Sequence, residues 1–215
     1  MVFMSLVAKS ASVSQVDGPE LANIPSNPVP EGARAGYFVT QDNFRLRFAL
    51  FPALGQKKRG TVCLVQGRTE YIEKYFETIV DFQTRGFQVA TFDWRGQGGS
   101  DRLISNPKLG YVEDFEDYVL DLVDFHAEIL LPDCPPPYFL VGHSMGGLVS
   151  LLASTRDRLM FDRVFLSAPM VSVDTGLSLS TAATVLGVGK YLGLGRLPLN
   201  PGDFPHPSEA TFPGN

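Results

Sequence analysis

Two spacings of apolar residues alternate along this chain. Arg34–Thr40 and Phe44–Phe51 switch between polar and apolar positions, most clearly in FRLRFAL, which predicts a half-exposed antiparallel pair joined through Gln41, Asp42 and Asn43. Thr61–Val65, Phe87–Phe92, Tyr138–Val141 and the RVFLSAP stretch within Asp162–Ala168 are short, nearly continuous apolar runs, the pattern of strands buried on both faces. Between them the spacing becomes helical. Ile72, Tyr75, Phe76, Ile79 and Val80 predict an amphipathic helix over Tyr71–Arg85 that stops at Gly86. Phe115, Tyr118, Val119, Leu122, Val123, His126, Ile129 and Leu130 predict a second, beginning at Asp114. Strands alternating with helices specify an α/β fold, a mostly parallel sheet flanked by helices. Residues 1–33 are polar, with Pro25, Pro28 and Pro30 close together, and read as an extended arm.

Composition narrows the classes. At 215 residues, 44% of them hydrophobic, the chain can bury one sizeable core. Its formal charge of −5 argues against a nucleic-acid partner. Much of that charge lies in Glu113–Asp124, which reads as a solvated helix face. Cys63 and Cys134 form no metal spacing and no disulfide framework, and read as free thiols in a reducing compartment. The apolar patch Val2–Ala8 has no positive charge ahead of it and makes a poor secretory signal, and no segment reaches the roughly 18 apolar residues of a membrane span. A cytoplasmic protein is expected, with peripheral membrane contact left open and the oligomeric state unspecified. Three scattered histidines give no metal-ligand pattern, so no cofactor is expected.

Candidate chemistry centres on Ser144. The run Tyr138–Val141 enters Gly142, His143, Ser144, Met145, Gly146, the G-x-S-x-G pattern of a nucleophile elbow. Glycine two residues either side of the serine removes Cβ atoms where the sharp turn crowds its neighbours. A strand before, a helix after and an extra Gly147 favour this over a plain glycine-rich turn. The helix starting at Met145 aims its amino end at the same point, so the Met145 N–H is a candidate oxyanion donor. The loop Asp93–Asp101, DWRGQGGSD, matches no phosphate-binding pattern; it reads as the floor of the site, with Asp93 and Arg95 structural.

Three stretches together resemble the α/β-hydrolase family of serine hydrolases, and within it the lysophospholipase and monoacylglycerol lipase group. They are VQGRTEYIEKYFE from Val65, FDWRGQGGSDR from Phe92 and VGHSMGGLVS from Val141, and the similarity spans about residues 34–203. The resemblance implies an α/β-hydrolase core over 34–169 and a partial helical cap over 170–215, with the apolar segment Leu177–Gly195 as lid. It implies a second oxyanion donor in the backbone N–H of Arg68, in a turn where this chain has Gln66-Gly67 and the family often has His-Gly. It also implies a small lipid ester as substrate and an acyl-enzyme on Ser144.

The acid and base are harder to place. In this fold they follow the serine, acid first and histidine second. His126 lies on the core stripe of its helix and His143 is unsuitably placed beside the nucleophile. After Ser144 the sequence offers Asp174, read as a hinge residue, and His206, flanked by Pro205 and Pro207. Those positions suit the triad poorly, so the chain is expected to stop inside the cap, before the roughly two strands that carry acid and base. A second reading stays open: a catalytically inactive hydrolase-fold fragment, or a remnant that binds an apolar ligand. Hydrolysis of peptides or other small esters would use the same machinery.

Overall fold

The computed structural model describes residues 18–106, 109–172 and 179–192. Six strands form one sheet: β1 (Arg34–Val39), β2 (Arg45–Phe51), β3 (Thr61–Val65), β4 (Gln88–Phe92), β5 (Tyr138–His143) and β6 (Arg163–Ser167). Their order is β1-β2-β4-β3-β5-β6. β1 and β2 are antiparallel and β2 runs antiparallel to β4, whereas β4, β3, β5 and β6 are mutually parallel. The helices are α1 (Phe76–Thr84), α2 (Glu116–Phe125), α3 (Leu131–Asp133), α4 (Ser144–Arg156) and α5 (Leu179–Tyr191). The chain has the α/β-hydrolase fold that its sequence resembles.

Period-two alternation divides the core. Cys63 and Val65 of β3 face Tyr118, Leu122 and Phe125 of α2 and Met145 and Val149 of α4. Val62 and Leu64 face Ile72, Phe76 and Ile79 on the other side. β3 is buried along its whole length, as a central parallel strand requires. Each large apolar side chain so covered contributes about 1.5–3 kcal/mol relative to exposure. β6, at the border of the sheet, is not the strand buried on both faces that its apolar run predicts: with no strand beyond it among the described residues, Phe165 is 65% exposed.

Two further sequence expectations need correction. The helix expected from Tyr71 begins instead as a 3-10 turn, Ile72–Tyr75, whose first N–H, that of Ile72, is held by the Asp93 carboxylate at 2.9 Å. The acidic run Glu113–Asp124 is only partly a solvated face. Asp121 is fully buried against Arg95, and Asp124 accepts hydrogen bonds from Gln41. A helix turned by 3.6 residues must send some of a continuous acidic run inward, and here buried cations and amides meet it. Residues 18–33 contact the body of the fold: Ala22 N–H donates to Glu73 at 3.1 Å, and the Asn27 amide to the Glu73 carbonyl at 2.8 Å.

Candidate active site

Strand register brings the site together. β3 and β5 run parallel with Val65 opposite Gly142, so the chains leaving them emerge side by side at the same sheet edge. One carries Gln66–Glu70, the other Ser144. Ser144 has φ 50°, in the left-handed region that a non-glycine residue seldom adopts. It follows His143, which is still extended and pairs with Ser167 across the ladder, and it opens the 13-residue helix α4. An extended residue, one left-handed residue and then a helix make the sharp turn expected from G-x-S-x-G.

The glycines allow that turn to pack. A Cβ on Gly146 would lie 2.5 Å from the Gln66 carbonyl oxygen and 2.6 Å from that of Val65. A Cβ on Gly142 would lie 2.5 Å from Ser150 Oγ and 2.8 Å from the Gly146 carbonyl oxygen. α4 therefore starts directly against the end of β3. Beyond β6, Met170 N–H donates to the Ser144 carbonyl at 2.9 Å, and a Cβ on Gly147 would stand 3.0 Å from Pro169 Cα.

The Gln66–Glu70 turn is held by side chains at several points. Trp94, fully buried, donates its indole N–H to the Gln66 carbonyl at 2.9 Å. The Gln66 amide donates to Thr91 Oγ1 at 3.0 Å. Thr69 N–H donates to the Gln97 side chain. Gly67 N–H donates to Glu70 Oε2 at 2.8 Å, and Tyr75 donates its hydroxyl to the same oxygen at 2.7 Å. Burial, reinforced by the Glu70 carboxylate, pushes the Tyr75 phenol far above its ordinary pKa. A Cβ on Gly67 would sit 3.2 Å from Ser144 Cβ, so this turn borders the serine. Sequence reasoning assigned Tyr75 to the core and passed over Glu70. The available signal was the three-residue spacing from Gly67 to Glu70, the same reach-back by which a carboxylate engages a backbone N–H in a capping box.

Beneath the turn lie two buried charge clusters. Arg47 forks onto Glu73 with both contacts at 2.8 Å and reaches Asp93 through Nε at 2.6 Å. Asp93 also accepts from Ile72 N–H and Gly99 N–H, which ties the loop after β4 to the turn after β3. Burial raises the Asp93 pKa, opposed chiefly by Arg47. Arg95 grips Asp121 and Asp42 in the same way, and burial pushes Asp121 up to about 6 against that pairing. Asp93 and Arg95 are thus committed to the scaffold. A surface cavity of about 430 Å³, lined by Leu54, Lys57, Arg59, Arg85 and Phe87, opens where β3 and β4 begin, at the sheet edge opposite Ser144.

Residues 56–196 match the family model described as serine aminopeptidase, S33. The chain belongs to this family.

Relatives of this S33 chain include lysophospholipase L2 of Escherichia coli strain K12, 37% identical over 136 residues that make up 63% of this chain and 39% of that protein. A monoacylglycerol lipase of Mycolicibacterium smegmatis is 31% identical over 137 residues, 63% of this chain and 45% of its own length. The chain thus spans less than half the length of either. Among solved structures, a monoacylglycerol lipase of Paleococcus ferrophilus superimposes with a TM-score of 0.54 at 25% identity, covering 67% of this chain and 51% of that one. A carboxyl esterase of Bacillus coagulans superimposes with a TM-score of 0.59 at 22% identity, covering 75% and 51%, a likeness of fold alone.

Of the residues singled out from sequence, Ser144, Met145 and the Arg68 turn converge. Met145 is buried at the amino end of α4, while Arg68 is exposed at the crest of the turn. His126 lies elsewhere. It sits in a π-helical turn, His126–Leu130, stacked edge-on against Tyr138 and Phe161, and burial holds its imidazole below the ordinary range. Asp174 and His206 lie outside the described residues, as do the first and last parts of the expected lid. Among the described residues no group of three or more His, Cys, Asp or Glu is arranged to hold a metal. No helix among them is long and apolar enough to cross a membrane. Cys63 and Cys134 are buried free thiols.

Proposed function

We propose that this protein is a serine ester hydrolase that forms an acyl-enzyme on Ser144. The observation that carries the reading is the left-handed φ of 50° at Ser144, set between β5 and α4 with the Gly67 turn against it. A strained serine at a helix amino end is costly to keep and useful for exposing a nucleophile. In this reading Ser144 Oγ attacks the ester carbonyl carbon, and the carbonyl oxygen takes the negative charge. The N–H groups of Met145 and Arg68 receive that oxyanion, aided by the amino end of α4. The proton from Ser144 passes to a general base and then to the departing alcohol, and water releases the acid by the reverse sequence. The base is a histidine supplied from outside the described residues, since His126 is committed to the core and His143 ends β5, paired with Ser167.

The substrate class we infer is a small lipid ester, a lysophospholipid or monoacylglycerol. The relatives with those names, at 37% and 31% identity, support it. In the same reading residues 34–169 are the hydrolase core and 170–215 belong to a cap over the site. The two buried thiols suit a reducing compartment.

The test is covalent labelling by a fluorophosphonate. The whole protein should label and Ser144→Ala should not, with monoacylglycerol hydrolysis lost in the same variant. A protein that resists the probe sinks the reading, and fatty-acid binding unchanged by Ser144→Ala would favour an apolar-ligand-binding protein instead.

A further inference from the structure

We infer that Glu70, clamped by Tyr75, is the positioning residue that sets the oxyanion-binding turn against Ser144. The inference rests on the reading of Ser144 as nucleophile. A Cβ on Gly67 would lie 2.7 Å from Glu70 Oε2 and 3.2 Å from Ser144 Cβ, so the carboxylate oxygen and the serine meet at the same face of this glycine. The Glu70 carboxylate therefore stands beside Ser144, where the turn borders it. Its Oε2 holds the Gly67 N–H at 2.8 Å, which anchors one end of Gly67. Glycine is the residue with the most backbone freedom, so anchoring it does the most to restrict where the next peptide plane, the one bearing the Arg68 N–H, can point.

Tyr75 makes the arrangement compatible with catalysis. A bare carboxylate this close would repel a developing oxyanion and raise its energy. Here the carboxylate oxygen that faces the turn is occupied by two donors, the Gly67 N–H and the Tyr75 hydroxyl. Two hydrogen bonds draw charge from that oxygen, and such charge-assisted bonds are the strong ones. Tyr75 belongs to the 3-10 turn that leads into α1, so the clamp also ties the site to a helix packed on the sheet. With Trp94 on the Gln66 carbonyl and Gln97 on the Thr69 N–H, the contacts of Glu70 complete a frame on both flanks of Arg68.

The experiment compares wild type, Glu70→Ala, Glu70→Gln and Tyr75→Phe in the whole protein. It measures the second-order rate of fluorophosphonate labelling, kcat and KM on a monoacylglycerol, and hydrogen exchange at the Gly67 amide. Glu70→Ala should lower the labelling rate and kcat by on the order of 10- to 100-fold, with KM within about 2-fold, because a misplaced donor weakens only the charged transition state. Glu70→Gln keeps an acceptor oxygen and should recover to within about 5-fold of wild type, and Tyr75→Phe should fall between the two. Gly67 exchange should quicken in Glu70→Ala and not in Glu70→Gln. Wild-type labelling with an unchanged rate in Glu70→Ala overturns the inference and leaves the Ser144 reading standing, as does a rise in KM alone. Loss in Glu70→Ala that Glu70→Gln fails to recover overturns it too, as a failure of folding. If wild type does not label, the Ser144 reading fails, and the inference that rests on it falls with it.

Discussion

Replacing Ser144 by glycine should make the protein more stable than replacing it by alanine. At φ 50° a residue with a Cβ crowds its own backbone, at about 1–2 kcal/mol relative to the right-handed region. Alanine keeps that Cβ and therefore keeps the strain, while removing the hydroxyl. Glycine relieves the strain but gains freedom in the unfolded chain, which offsets about 0.5–1 kcal/mol. Ser144 is the first residue of α4, so the helix-interior penalty of glycine applies only weakly. The net difference between the variants is about 0.5–1 kcal/mol in favour of glycine. For a domain of this size that is a rise of about 1–4 °C in Tm. Parallel thermal and urea unfolding of Ser144→Gly and Ser144→Ala reads the difference directly, and neither variant can form an acyl-enzyme to confuse it. Equal stabilities, or a less stable glycine variant, would refute the claim that the elbow stores strain.

Three further outcomes are expected. Gly146→Ala places its Cβ against the Gln66 and Val65 carbonyls at 2.5 and 2.6 Å, backbone atoms that cannot swing aside, so it should cost about 1–3 kcal/mol of stability and slow probe labelling at least tenfold. Asp93→Ala leaves the Ile72 and Gly99 N–H groups without their acceptor and strips Arg47 of one of two carboxylates, and urea unfolding should show a loss of about 3–5 kcal/mol. His126 has its pKa lowered from 6.5, first by burial, against a hydrogen bond to the Met160 backbone and the charge of Asp157. The unfolded chain then binds a proton that the native state refuses, so stability should fall as pH drops below about 6.5. His126→Phe, between Tyr138 and Phe161, should flatten that part of the urea-midpoint profile against pH.

The strands were legible in the sequence because their apolar runs are short and punctuated: Gly60 precedes β3, Gly86 precedes β4 and Pro137 precedes β5. The sharp turn at Ser144 was legible because it demands small neighbours at fixed offsets. The frame around it was not. Gln66, Trp94, Gln97 and Glu70 meet through contacts that span strands and loops, and a polar residue carries no mark of whether its partner lies in water or across the sheet. The acidic run misled for the same reason: Asp121 and Glu116 both meet an arginine, but Asp121 does so in the interior and Glu116 at the surface. Periodicity reports which face is apolar and says nothing of which buried ions have found each other.

The hydrogen bond from Met170 N–H to the Ser144 carbonyl gives the turn at Ser144 a mechanical lead. Met170 lies three residues past β6, so the chain leaving that strand is tied to the serine's own peptide group rather than to a distant anchor. A bound acyl chain that shifted that downstream segment would be felt at the elbow as a tug on its backbone. In the proposed reading, the acyl-enzyme at Ser144 and the position of Met170 share one lever, and a change at either end registers at the other.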